Sequence, residues 1–220
     1  MNTRQALNRQ ILDRARELGA SLAGLVPLTA LRQPTRHLPL KQGSLLVLAM
    51  EHPTSEPELD WWDGEGGTEG NRRLIALSEQ LQRFLAQEWG IRSYPLPYHP
   101  WRGGVLLKDA AALAGLGSIG DNNLLVTPQY GPRVRLRALL FDREVPYEPG
   151  RAFAPCAACP HPCWKACPQQ AFATGAFVKP ACARQMKVDE ANAALQAKAA
   201  RTPECVPYCR ACELACPVGR

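Results

Sequence analysis

A chain of 220 residues is long enough for one good core or two small domains. Its 46% apolar and 21% charged residues match a folded globular protein and argue against disorder, collagen and coiled coil. No stretch reaches the roughly 18 uninterrupted apolar residues that a membrane span needs, and Met1 to Ala6 has neither an apolar signal core nor twin arginines, so the expectation is a cytoplasmic protein without membrane contact. The formal charge of +6 is a weak nucleic-acid signal. A charge this small argues weakly, if at all, for a polyanionic partner, and a nucleic-acid partner is not expected.

In chain order, Leu7, Ile11, Ala15 and Leu18 recur at helical spacing and predict an amphipathic helix from about Asn2 to Gly19. Ser21–Leu28 reads as a strand, and Ser44–Met50, apolar without alternation, as a strand buried on both faces. Residues 51–70 hold seven acids, four glycines and Trp61-Trp62 without a period. They predict a long loop, either a solvated insertion or a cover whose tryptophans face a site. Leu74, Leu77, Leu81 and Leu85 mark a second helix ending near Gly90, and Ser93–Leu96 reads as a short strand. After the irregular 97–104 stretch, Val105–Ala114 reads as a helix, and Leu124–Thr127 and Val134–Phe141 as strands.

The three prolines and glycine of 146–155 place a domain boundary there. The expected class is α+β: an N-terminal α/β domain over 1–150 and a small domain over 151–220. Beyond the boundary only 181–200 predicts a helix, so the core of that region must form around something other than side chains alone.

All nine cysteines lie between Cys156 and Cys216. In a reducing compartment an odd, clustered set points to metal before disulfides. Two runs are repeated: Cys156, Cys159, Cys163 and Cys167 followed by Pro168, then Cys205, Cys209, Cys212 and Cys216 followed by Pro217. A single zinc would use four ligands and leave five thiols idle. The runs resemble the two-cluster bacterial ferredoxin pattern, in which the last cysteine of each run ligates the other run's cluster. One departure is that three residues separate Cys159 from Cys163 where the pattern has two. With nine thiols for eight positions, Cys182 and Cys205 compete for the same corner.

Ala114-Gly115-Leu116-Gly117-Ser118-Ile119-Gly120 satisfies G-x-G-x-x-G, but a helix precedes it and a strand follows, the reverse of a dinucleotide-binding turn. The same string, continued by Leu124-Leu125-Val126-Thr127-Pro128-Gln129-Tyr130-Gly131-Pro132-Arg133, resembles the cobalamin-dependent reductive dehalogenases and the epoxyqueuosine reductases, which carry a two-cluster ferredoxin module after it.

The resemblance implies a corrinoid-binding-like first domain and a ferredoxin-like second one. It puts Cys156, Cys159, Cys163 and Cys216 on one [4Fe-4S] cluster and Cys167, Cys182, Cys209 and Cys212 on the other, with Cys205 unmatched. It implies cofactor contacts from Gly115, Gly117, Gly120, Tyr130 and Arg133 with cobalamin as the cofactor, and a low-potential donor such as a ferredoxin or flavodoxin; a flavin in the same domain is the alternative. The function it implies is an iron–sulfur oxidoreductase acting on a small or nucleoside-type substrate; the alternative is an electron-transfer protein without its own substrate.

The epoxyqueuosine reductases carry Asp-Ser-Ala-Pro-Val before the Gly-Leu-Gly string, with the aspartate as proton donor. Here Trp101-Arg102-Gly103-Gly104-Val105 stands instead, which leaves Tyr98, His99 and Arg102 as the candidate catalytic side chains. The sequence ends at Arg220, and the expectation is a protein without the helical repeats that help those enzymes hold tRNA.

Overall fold

A computed structural model describes residues 3–33, 35–64, 67–145, 150 and 152–220. It is a mixed α+β structure that divides into two compact units, and each is assembled from separated stretches of chain. The first comprises 1–51, 73–118 and 135–153; the second comprises 52–72, 119–134 and 154–220. The boundary read near residue 150 therefore marks only the last of several crossings between them.

The first unit begins with α1 (Thr3–Glu17), which Gly19 ends at φ +108°, a conformation that costs a residue without Cβ little. Ile11 and Ala15 are fully buried, as the periodicity requires. β1 (Leu22–Pro27) pairs antiparallel with β2 (Ser44–Glu51) in the register Leu22↔Ala49 to Pro27↔Ser44. Ser44 to Ala49 are all buried, so both faces of β2 are covered, as its unbroken apolar run predicts.

The second helix, α2 (Glu69–Trp89), lays Leu74, Leu77, Leu81 and Leu85 into the same core as Leu46, Leu48, Leu139 and Phe141. After β3 (Ser93–Pro95) the chain forms α3 (Leu107–Leu113), shorter than the predicted span. Two small strands, β4 (Ser118–Ile119) and β5 (Leu125–Val126), pair with each other. The long β6 (Val134–Phe141) completes the main sheet in the order β1-β2-β6-β3, antiparallel to β3. Helices α1 and α2 and strands β1, β2 and β6 thus share one aliphatic core.

The second unit has little such core. Its helices are α4 (Pro162–Lys165), α5 (Lys179–Ala200) and α6 (Ala211–Leu214), and α4 packs against α6. Ala171, Phe172 and Ala181 form its buried apolar cluster, with Trp164, Phe177, Val178 and three thiols, Cys167, Cys182 and Cys212, packed against it. Cysteines here stand where an ordinary domain would place aliphatic side chains. None of the helices is long and apolar enough to cross a membrane, among the described residues.

The 51–70 segment also differs from a free loop. A 3-10 turn spans Pro57–Asp60, and Trp62 exchanges backbone hydrogen bonds with Val206 (Trp62 N–H to Val206 O, 3.0 Å; Val206 N–H to Trp62 O, 2.8 Å). Both tryptophans remain 43–45% exposed. At the start of α2, an added Cβ on Gly70 would fall on the His52 ring and 2.9 Å from the Leu59 carbonyl. Gly70→Ala is therefore expected to lower stability by about 1–3 kcal/mol through overpacking, read as a fall in thermal midpoint; an unchanged midpoint would show that the His52 ring gives way freely.

Candidate metal centre

Eight of the nine thiols fall into two electrostatically coupled sets. In the first, burial pushes the Cys163 thiol up to about 11, and the charges of Cys216, Cys159 and Cys156 oppose its ionisation further. Cys156 is also raised, first by burial, with Asp121, Cys159 and Cys216 adding to it; the Asp121 N–H, donated to Cys156 Sγ at 3.4 Å, pulls the other way.

In the second set, burial pushes Cys212 up to about 12, reinforced by Cys209, Cys182, Glu213 and Cys167. Cys182 and Cys209 are raised as well, again chiefly by burial, and each also feels Cys167. Backbone N–H groups approach sulfur here too, from Ala171 to Cys167 (3.3 Å) and from Ala211 to Cys209 (3.5 Å). Cys205 lies outside both sets. Burial raises it, and the charge it feels is that of Asp63, not that of a thiol.

Buried thiols with raised pKa values stay protonated by themselves, because burial penalises the charge and each thiolate opposes the next. A polynuclear cationic centre reverses that sign, and N–H groups aimed at sulfur favour the thiolate form. The donor chemistry of both sets therefore fits iron–sulfur clusters. Among the described residues no three His, Cys, Asp or Glu side chains are gathered closely enough to hold one metal ion. A zinc site needs donors within about 2.3 Å of a single point, whereas a cluster spreads four thiolates over four irons.

The extra residue between Cys159 and Cys163 has a physical account. His161 adopts φ +52°, caps α4, stacks on Trp164 at 4.4 Å, and pairs through Nε2 with Asp121 Oδ2 at 2.7 Å. Trp164 Nε1 donates to the Asp121 carbonyl at 3.2 Å. Asp121 thus holds the Cys156–Cys167 run at three points, and the stacking continues from Trp164 to Phe172 (6.0 Å) and Phe177 (5.7 Å).

Beside the second set lies a buried charged network that sequence reading missed. Wholly buried His52 pairs through Nδ1 with Asp60 Oδ1 at 2.7 Å. The other Asp60 oxygen meets Arg210 Nη1 at 2.6 Å, and Arg210 Nη2 donates to Glu213 Oε1 and to the His52 carbonyl (2.9 Å). The Arg210 side chain is 11% exposed, that of Asp60 9% and that of Glu213 6%. Four polar residues at 52, 60, 210 and 213 carry no shared spacing, and only Arg210 and Glu213, three apart and flanking Cys212, offered a local signal.

Tyr98 and His99 meet beside a 3-10 turn at Pro100–Arg102, whose last residue donates its backbone N–H to the His99 carbonyl at 3.0 Å. The His99 ring stacks on Trp101 (4.1 Å) and meets Tyr98 edge-on (4.9 Å), while the Arg137 guanidinium lies 5.0 Å from the Tyr98 ring centre. Tyr98 is 55% and Trp101 75% exposed, so this is an open aromatic surface.

The five residues expected at a cofactor fall in both units. Gly115 and Gly117 belong to the first unit; Gly120, Tyr130 and Arg133 belong to the second. Gly115, at φ +77°, follows the end of α3 and lies against Gly150. An added Cβ on Gly120 would sit 2.7 Å from Val126 and 3.4 Å from Cys156 Sγ. The Tyr130 N–H donates to Thr127 Oγ1 at 3.1 Å, and buried Arg133 donates through Nη2 to the carbonyls of Val218 (2.9 Å) and Gly219. Gly115 and Gly120 close packing within the chain, and Arg133 fastens the C-terminal stretch.

The α+β fold is one that this chain shares with solved epoxyqueuosine reductases and reductive dehalogenases. The epoxyqueuosine reductase of Bacillus subtilis superposes with a TM-score of 0.68 at 17% identity, over 98% of this chain and 66% of that one. That of Streptococcus thermophilus gives 0.65 at 18%, over 100% and 67%. A catabolic reductive dehalogenase gives 0.68 at 17%, over 96% of this chain but 31% of its own. The chain spans about two thirds of the reductases and about a third of the dehalogenase. No protein-family model and no curated protein matches the sequence.

Proposed function

We propose that the chain is an iron–sulfur oxidoreductase holding two [4Fe-4S] clusters, one on Cys156, Cys159, Cys163 and Cys216 and one on Cys167, Cys182, Cys209 and Cys212, in a ferredoxin-like module. The observation that carries this reading is the partition of eight thiols into two mutually coupled sets that interleave the two cysteine runs. Cross-ligation of that kind is how two-cluster ferredoxins hold their clusters. Anaerobic reconstitution is expected to give about eight irons per chain and low-potential EPR signals on reduction; saturation by one or two zinc ions would reject the reading.

The electron acceptor in this reading is a corrinoid, by analogy with a structural neighbour described as supporting a mechanism for B12-dependent dehalogenation, over 73% of this chain at a TM-score of 0.55. A corrinoid, when bound, supplies a strongly reducing cobalt centre. Among the described residues Arg133 is spent on the Val218 and Gly219 carbonyls and Gly120 is packed on Val126, so no cradle is assigned to it and no chemical step is drawn through it. That engagement favours the second reading, an electron-transfer protein without its own substrate. Titration with cob(II)alamin followed by EPR separates the two: a shifted cobalt spectrum supports the reductase, and no binding at high micromolar corrinoid leaves the carrier.

In the reductase reading, proton donation falls to the Tyr98–His99–Arg102 surface, with His99 as the first candidate because an imidazole can both accept and donate a proton. The epoxyqueuosine reductase that was crystallised with a tRNA stem loop also makes a nucleoside-type substrate a proposal for this chain.

A further inference from the structure

In the two-cluster reading the second cysteine run serves both clusters, giving Cys209 and Cys212 to one and Cys216 to the other. Whatever fixes the posture of that run therefore fixes the clusters relative to each other. A closed ring of hydrogen bonds surrounds its last turn. Arg210 Nε donates to the Glu213 carboxylate (3.1 Å), and the Glu213 carbonyl accepts from the Cys216 N–H (3.2 Å). Two residues on, the Val218 carbonyl accepts from Arg133 Nη2 (2.9 Å). The Arg133 carbonyl accepts from the His52 N–H (2.9 Å), and the His52 carbonyl accepts from Arg210 Nη2 (2.9 Å), which returns the ring to its start.

His52, Arg133 and Glu213 are all buried, so these bonds do not compete with bulk water. The ring also rests on a stiff support. Thr127 and Gly131 exchange backbone hydrogen bonds (2.8 and 2.9 Å), and the Arg133 N–H closes on the Tyr130 carbonyl (3.2 Å). A Cβ on Gly131 would fall on the Val218 carbonyl, and one on Gly219 would fall on the Gly131 nitrogen, so the C-terminal stretch seats there because both residues lack it. His52, the 127–133 turn and the second run are all parts of the second unit.

We propose that Arg133 and Arg210 are positioning residues for the two clusters. Arg133 holds the Cys216 end of the run to the first, Arg210 holds the Cys209 and Cys212 end to the second, and the His52 backbone joins the two grips into one frame that sets the spacing between the clusters. The inference rests on the two-cluster reading above. Charge-assisted hydrogen bonds in a buried setting suit this task, because they are directional and leave a desolvated partner when broken. Electron passage between clusters falls steeply with distance, so a frame that keeps one spacing keeps one rate.

The test uses the full chain with its clusters reconstituted, and Arg133→Met, Arg133→Lys, Arg210→Met and Arg210→Lys. Each is also placed in Cys167→Ala and Cys216→Ala, which are expected to keep the first and the second cluster respectively. Arg133→Met is expected to speed release of iron to a chelator from the first cluster at least about ten-fold while leaving the second within about two-fold, and Arg210→Met to do the reverse. With both clusters reduced, the unaltered chain is expected to show an EPR spectrum split by spin coupling between them, and each Met variant to lose that splitting while its iron content is still complete. Lysine restores the charge without the fork and is expected to recover part of both effects. If Arg210→Met does not fold, Arg210→Lys and the Arg133 pair carry the comparison. Equal acceleration at both clusters would make the arginines general supports of the fold and overturn the proposal, as would an unchanged splitting in the variants. A chain that takes up no iron would reject the two-cluster reading itself, whereas two clusters that load normally and ignore both arginines reject the frame alone.

Discussion

Arg210→Met is expected to destabilise the second unit by about 3–5 kcal/mol, because it takes one charge out of a buried, hydrogen-bonded set. Asp60 and Glu213 lose the guanidinium they share, and the His52 carbonyl loses its donor. Two desolvated carboxylates then remain near each other, and their relief requires protonation or entry of water. Arg210→Lys keeps the charge but not the fork that reaches Asp60, Glu213 and a carbonyl at once, so it should fall between the two. Urea unfolding of the three proteins, followed by circular dichroism, measures the ordering. If Arg210→Met lies within 1 kcal/mol of the unaltered chain, the network is an ornament of the fold and not a support for the loop that bears Cys209 and Cys212. Combining it with Asp60→Asn should cost less than the sum of the single changes, since the second change removes a charge that the first left exposed to its neighbour.

Cys167→Ala is expected to remove one cluster and leave the other. Although Cys167 ends the first run, it is coupled to Cys182, Cys209 and Cys212, all in or after α5. Iron should drop from about eight to about four per chain, with one EPR-active centre retained on reduction. Cys216→Ala is the mirror experiment and should spare the centre that Cys167→Ala destroys. Cys205→Ala should keep the full iron content, since that thiol stands with Asp63. Selective loss of the cluster bearing Cys156 and Cys159 in the Cys167 variant would show that the runs are not interleaved.

Much of the first unit is legible in the sequence because its elements are long enough to show a period. Ile11 and Ala15 in α1 and the four leucines of α2 repeat at helical spacing and are buried, and the unbroken run of β2 is covered on both faces. The cysteine spacing likewise points to two clusters, since ligand loops need thiols at short fixed intervals. What sequence could not supply is any arrangement made by residues far apart. α4 and α6 are four residues each, too short for a period, and β5 shrinks to two residues inside a longer apolar run. The pairing of Trp62 with Val206, and of Asp60 with Arg210, joins positions about 150 residues apart. The bond from Arg133 to the Val218 carbonyl is equally invisible in one dimension, where a free guanidinium and a tied one read the same.

The second unit draws on three separate stretches, 52–72, 119–134 and 154–220, and this limits how such a module can be moved. A cut near residue 150 would leave behind Asp60, which meets Arg210, and Asp121, which holds His161 and Cys156. The seventy C-terminal residues, expressed alone or grafted onto a foreign protein, would carry all nine thiols yet lack the strands and side chains that support them. A two-cluster module of this kind is a tenant of its host chain: any recombination that transplants it has to carry along two insertions embedded in the host's first 134 residues.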